Sequence, residues 1–172
     1  EVGSGWVVGE KRKPGSFSMG AWSQGGESLR CNEEDPQQCM SELGAWGVYL
    51  LMDQRFSNFR PDQDSSGINA FVSTSWTPSI TNQMNASITG GFTLQGPLEA
   101  RPNDSLGVGL SWARINNQQF LSKSFNSSEL MLQAYAQIAL AEALFLQPTI
   151  TMLPRVGRRD AKDDSLSGLL QL

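Results

Sequence analysis

Residues 84–95, Met-Asn-Ala-Ser-Ile-Thr-Gly-Gly-Phe-Thr-Leu-Gln, carry an apolar residue or Gly at every even position and a polar residue or Gly at every odd one. Successive side chains of a β-strand point to opposite faces, so this stretch has one apolar and one polar face. Its length suits a tilted strand crossing a bilayer. The alternation returns along the chain. In AWGVYLLMDQRF, Trp46, Val48, Leu50 and Met52 share one face, and Gly47, Tyr49, Leu51, Asp53 and Arg55 the other. In INAFVSTSW, Ile68, Ala70, Val72, Thr74 and Trp76 alternate with Asn69, Phe71, Ser73 and Ser75. Leu106, Val108, Leu110 and Trp112 lie over Gly107, Gly109 and Ser111. Strand after strand with hydroxyls and amides on the second face predicts an all-β fold, the wall of a transmembrane antiparallel β-barrel with lipid outside and water inside.

The remaining segments extend that pattern. GSGWVVGEK is strand-like, with Trp6 and Val8 on one face, and KRKPG turns the chain. Phe17, Met19 and Ala21 then alternate with Ser16, Ser18, Gly20 and Trp22. Residues 25–43 are polar and predict a long loop. Residues 129–146 are rich in Ala, Leu and Gln, for which local propensity favours helix. Their period is nevertheless two: Leu130, Leu132, Ala134, Ala136, Ile138 and Leu140 oppose Met131, Gln133, Tyr135 and Gln137, which predicts two strands hinged near 141–143. Leu144, Leu146, Ile150 and Met152 continue the alternation against Gln147, Thr149 and Thr151, and Pro148 calls for an irregular ladder site. PRVGRRDAKDDS predicts a charged loop and LSGLLQL a final strand. That makes about nine strands, with the loops 25–43, 116–128 and 153–164 at alternate connections, as outer-membrane barrels require. Nine strands do not close a barrel of even count, and a bilayer tolerates no open edge. The expected partners are therefore a missing N-terminal half or a second chain that completes the wall.

Composition agrees with this and narrows it. Only 17% of residues are charged, against roughly 25% in soluble domains. Mean hydropathy is −0.30, and no apolar run is long enough for a transmembrane helix. The net charge of −4 removes the basic face that a nucleic-acid binder needs. There is no histidine, no G-x-S-x-G and no phosphate loop, so neither catalysis nor a cofactor is expected. Cys31 and Cys39 flank a polar stretch with Pro36 and suggest a disulfide made in an oxidising compartment. The rival, a metal pair, lacks a His or further Cys to complete it. The chain starts at Glu1 without a signal peptide, as a mature product or an internal piece would.

Several strings resemble a known family: GVYLLMDQ (47–54), WTPSITNQMN after the Phe71 strand, GGFTLQGPLEARPNDSLGVGL (90–110), and LFLQPTITM with DAKDDSLSGLLQL towards the end. They are similar to the carbohydrate-selective porins of Gram-negative outer membranes, the OprB family. Arg101, Pro102, Asp104, Gly107 and Gly109 match its most specific motif, and Gln147 and Pro148 the next. The resemblance implies a sixteen-stranded barrel of which this chain is a single C-terminal portion, its last nine strands, with 25–43 as an extracellular loop.

A porin needs a water-filled lumen whose side chains hydrogen-bond a sugar and offer aromatic faces to its C–H groups. The inward set supplies Trp22, Tyr49, Asp53, Arg55, Asn69, Phe71, Asn85, Gln95, Gln133, Tyr135, Gln137 and Gln147 as candidate pore-lining residues. These residues could equally wet the lumen or brace one another. Arg101 and Asp104 fall in a turn and are expected to form a structural ion pair. Trp46, Trp76 and Trp112 are expected in the aromatic girdles at the membrane surface, or else as sheet-packing residues. The cluster Arg158, Arg159, Asp160, Lys162, Asp163 and Asp164 reads as a solvated loop, or as one bridged by divalent ions to lipopolysaccharide. Outer-membrane lipid, sugars and a homo-oligomeric mate complete the expected partners. Facilitated diffusion of monosaccharides such as glucose is the expected activity; a general porin and a soluble all-β carbohydrate-binding domain are the rivals.

Overall fold

Nine strands hydrogen-bond in chain order into one antiparallel sheet in the computed structural model, which describes residues 1–9, 13–31, 37–61, 65–78, 80, 82–116, 127–141, 144–155 and 165–171. They are β1 (Val2–Val8), β2 (Lys13–Cys31), β3 (Cys39–Asn58), β4 (Gly67–Trp76), β5 (Met84–Gln95), β6 (Ser105–Ile115), β7 (Ser128–Ala141), β8 (Leu144–Arg155) and β9 (Ser165–Gln171). The Ala- and Leu-rich segment is two strands, β7 and β8, as its period predicts and against its propensity. A cross-strand neighbour on each side makes alternation, not local preference, decide. The β7–β8 ladder pairs Tyr135 with Thr149 and resumes at Ile138 and Leu146, stepping across Pro148, which has no N–H to give.

The expected loop at 25–43 is largely ladder instead. β2 and β3 run on together until Cys31 faces Cys39, where a disulfide joins them. The pairing crosses a bulge in which Gly25 and Gly26 oppose Gly44, between the pairs Gln24↔Ala45 and Glu27↔Leu43. Gly26 and Gly44 have φ of 99° and 74°, a conformation open to Gly at little cost. Most described residues on both faces of this ribbon are exposed, so its polar sequence does not mean that it lacks structure. β4 pairs with β3 only as far as Trp76↔Val48, so residues 39–47 stand beyond its end by about 30 Å. The charged cluster 158–164 lies outside the described residues.

The connections β2–β3, β4–β5, β6–β7 and β8–β9 share one end of the sheet, here the loop end, and the other four share the turn end. The alternation of ends is as expected, but the contrast in length is smaller. Connections 59–66 and 96–104 at the turn end are as long as 77–83 at the loop end.

Register turns the single-strand pattern into continuous rows. Met52, Val72, Gly90, Leu110, Leu132, Met152 and Leu166 are successive cross-strand partners on the apolar face. Asp53, Phe71, Gly91, Gly109, Gln133, Thr151 and Ser167 form the neighbouring row on the polar face. Burial is inverted relative to a water-soluble sheet. Ala45 is the only buried hydrophobic residue among those described, whereas Ser105, Ser128, Thr149, Thr77 and Asn116 are buried. Met84, Ile88, Phe92 and Leu110, which a dry core would hide, are 53%, 45%, 52% and 45% exposed. From Met84 to Leu94 the apolar face extends about 34 Å along β5, or about 26 Å at a 40° tilt, the height of a lipid-facing band.

Candidate functional site

The polar face is a wall of neutral hydrogen-bonding groups at alternate positions of every strand. Neighbouring strands place these groups opposite one another, and they pair. Ser75 and Ser87 hydroxyls are 2.8 Å apart, as are those of Thr89 and Ser111. Ser105 donates to Gln137 Oε1 at 3.3 Å, and Gln133 Nε2 donates to Thr151 Oγ1 at 3.3 Å. The Ser16 hydroxyl donates to Asp53. These are weak or ordinary bonds among groups that also touch solvent, so water or a solute hydroxyl can exchange with them at small cost.

All the predicted lining residues fall on or beside this face. Tyr49 faces Gly20 and Ser75; Asp53 faces Ser16 and Phe71; Asn69 faces Arg55 and Thr93. Gln133, Tyr135 and Gln137 face Gly109, Gly107 and Ser105, and Gln147 pairs with Gln171. Trp22 faces Gly47. Three of the twelve sit at a rim. Arg55 donates from Nε to Asn58 Oδ1 at 2.5 Å and also to the Ser65 carbonyl, bracing the β3–β4 turn. Asn85 is the extra residue of a bulge between Met84 and Ala86, and its carbonyl accepts from Thr77 N–H. Gln95, at the turn end of β5, donates to Ser65 Oγ at 3.5 Å.

Both rims are tied down by side chains. At the turn end, Arg101 Nε sits 2.5 Å from Asp104 Oδ2, the expected ion pair. The pair does more than hold its own turn. Asp104 Oδ1 accepts from the Ala139 N–H and Arg101 Nη2 donates to the Ala139 carbonyl, both at 2.9 Å. Ser105↔Gln137 is the last backbone pair of β6 with β7 there. The two side chains thus extend the ladder by one position. The guanidinium, and then the Ala139 N–H, hold the Asp104 carboxyl below the usual carboxylate range. Arg60 reaches the Gly96 carbonyl at 2.8 Å. At the loop end, Glu42 on the β2–β3 ribbon accepts from Ile80 N–H, and Thr77 Oγ1 donates to the Trp46 carbonyl. Asn116, 4% exposed, donates to the carbonyls of Ile80 and Asn82. These loop-end braces escape a periodicity reading because they join segments far apart in the chain. Trp46 and Trp76 sit at the same end on the apolar face, exposed and packed edge to face at 5.6 Å.

The carbohydrate-selective porin, OprB family profile matches residues 8–172. The chain belongs to the OprB family. It is thereby an outer-membrane protein with the all-β architecture of a porin. A structure of Pseudomonas putida OprB solved at high pH superposes with a TM-score of 0.71 at 15% identity, which confirms the fold. The superposition covers 88% of this chain and 42% of that one, so the chain spans under half the length of this solved relative. No curated protein sequence matches it.

Proposed function

We propose that the chain is part of a water-filled outer-membrane channel for carbohydrates, a conduit and not an enzyme, that passes monosaccharides such as glucose by facilitated diffusion. The observation that carries this is the inverted burial. Leu, Ile, Val and Met side chains cover the exposed face, and paired hydroxyls and amides cover the other. A soluble carbohydrate-binding domain would bury the face that is exposed here. Family membership favours sugars over unselected solutes. The loop end faces the cell exterior in this reading, with the disulfide-tipped ribbon outermost among lipopolysaccharide and lipid.

The wall closes with further strands, from an N-terminal half or a second chain. β1 and β9 are the two edges of the sheet. Because the strands alternate and nine is odd, β1 and β9 run in the same direction. Antiparallel closure therefore requires an odd number of added strands. Seven satisfies this, while two copies of this sheet would meet in parallel. A homo-oligomer then packs whole barrels side by side. The test is single-channel recording of the full-length protein. Millimolar glucose should block the ion current; a current indifferent to every sugar would mean a general porin.

A further inference from the structure

Four aromatic side chains of the polar face each stand directly opposite a glycine, and we infer that they form two stacking stations for pyranose rings along the lumen wall; this rests on the proposed sugar pathway. The seating is visible in what a methyl group would meet. A Cβ on Gly107 would lie 2.1 Å from Tyr135 Cε1, and one on Gly20 would lie 2.5 Å from Tyr49 Cζ. A Cβ on Gly47 would lie 2.6 Å from Trp22 Nε1, and one on Gly91 would lie 3.0 Å from Phe71 Cε1. Each ring therefore covers its glycine, the position a side chain would otherwise fill. A ring laid on the wall leaves its other π-face to the lumen, and Trp22 and Phe71 remain exposed. The remaining described polar-face aromatic, Phe145, faces Ala139 near the turn end.

The four rings fall into two groups by register. Trp22 and Tyr49 occupy adjacent polar rows of β2 and β3 at the loop end, because Trp22 pairs with Gly47 and Gly20 with Tyr49. Phe71 and Tyr135 converge on β5 nearer the turn end. Phe71 covers Gly91, and Tyr135 reaches from β7 across Gly107 to put its hydroxyl 3.2 Å from Thr93 Oγ1. The Tyr49 and Phe71 rows are four residues apart on β3, about 14 Å. Between them lies the row of Ser18, Leu51, Ser73, Thr89 and Ser111. A pyranose has an apolar C–H face and a hydroxyl edge. It would stack on one station, exchange hydrogen bonds with the hydroxyl row and stack on the next. An open-chain polyol has the same hydroxyls and no flat face. The stations therefore make the channel favour ring sugars over alditols of equal size.

The experiment is single-channel recording of the full-length protein with glucose and with sorbitol. Wild type should be blocked by glucose at lower concentration than by sorbitol. Tyr135→Leu and Phe71→Leu should each raise the half-blocking glucose concentration about 3- to 10-fold relative to that of sorbitol, the scale of one ring contact. One substitution from each station should multiply, because the stations do not touch. Gly107→Ala keeps the Tyr135 ring but unseats it, and should weaken glucose block in the same way. If glucose blocks wild type and these variants alike, or glucose and sorbitol block wild type equally, the stations are refuted and the sugar channel stands. If no sugar blocks wild type, both readings fall together.

Discussion

Arginine at position 110 separates a lipid-facing sheet from a water-facing one in a single substitution. Leu110 lies in the middle of the apolar band, in the row Met52, Val72, Gly90, Leu110 and Leu132, and is 45% exposed. If water covered that face, Leu110→Arg would shift stability by no more than about 0.5 kcal/mol, as surface substitutions do. If lipid covers it, the guanidinium must sit near the bilayer midplane, which costs about 2–4 kcal/mol. That is about a 30- to 900-fold loss in the folding equilibrium. Gln133→Arg is the matched control. Gln133 faces Gly109, the residue next to Leu110, so the new charge enters at the same height on the opposite face. It gives up one 3.3 Å hydrogen bond to Thr151 and projects into water, so the expected cost is about 0.5 kcal/mol or less. Urea titration of the full-length protein folded in phospholipid vesicles, followed by tryptophan fluorescence, measures both. Equal stability of Leu110→Arg and wild type, or a greater loss for Gln133→Arg, would refute the assignment of faces.

Replacing Cys31 and Cys39 with Ser should leave unfolding of the barrel and its conductance unchanged, because the bridge closes a short ribbon beyond the end of β4; limited proteolysis should instead cut within 25–43, which the bridged protein resists. Trp6→Phe should destabilise by about 1–3 kcal/mol in the same urea titration, since it removes the indole N–H that donates to Gln54 Oε1 at 2.6 Å across Gly15, on the apolar side of the sheet. Acidification should spare the turn end until low pH. Asp104 has a depressed folded pKa, so its contribution is complete above the unfolded value of about 3.9 and is lost as pH falls through the depressed one. The urea midpoint of wild type should therefore be flat from pH 7 to 5 and drop below about 4, and Asp104→Asn should lack that drop. Asp53→Asn should lower the cation-over-anion permeability ratio, read as a reversal potential in a salt gradient, without abolishing conductance.

The period-two pattern carried most of the fold. It identified β4 and β5 almost to the residue and β6 to within three, because each alternates along most of its length, with Phe71, Thr74 and Arg114 on the unexpected face. It also separated β7 from β8 although Ala, Leu and Gln favour helix, since the alternation continues through both. It failed at 25–43 for a physical reason. A ribbon extending beyond the neighbouring strand β4 shows no alternation along its strands, and the Gly25–Gly26 bulge shifts the register of what remains. The face of each candidate lining residue was legible, but its hydrogen-bond partners were not. Arg55 reads as a lumen cation, yet it is held by Asn58, across a bulge in its own strand, and by Ser65 in the following turn. The seating of Tyr135 on Gly107 depends on a register between β6 and β7 that neither strand states alone.

The distribution of charge ties these features to the solute. Arg55, Arg60, Arg101 and Asp104 are spent on hydrogen bonds at the turn end, and Glu42 on one at the loop end. Between the Tyr49 and Arg55 rows, the described polar face carries one charge, Asp53. Apart from Leu51 and Met131, the other paired residues there are hydroxyl, amide, ring or glycine. A wall of strong charges would concentrate counter-ions and hold its water firmly, and a neutral solute would have to displace both. Paired hydroxyls hold water loosely and offer a sugar the bonds it leaves behind in bulk. The charges that the fold needs for rigidity are kept at the rims, where they pin the turns and the protruding ribbon. That leaves the span between them nearly free of charge, as the proposed passage of an uncharged sugar requires.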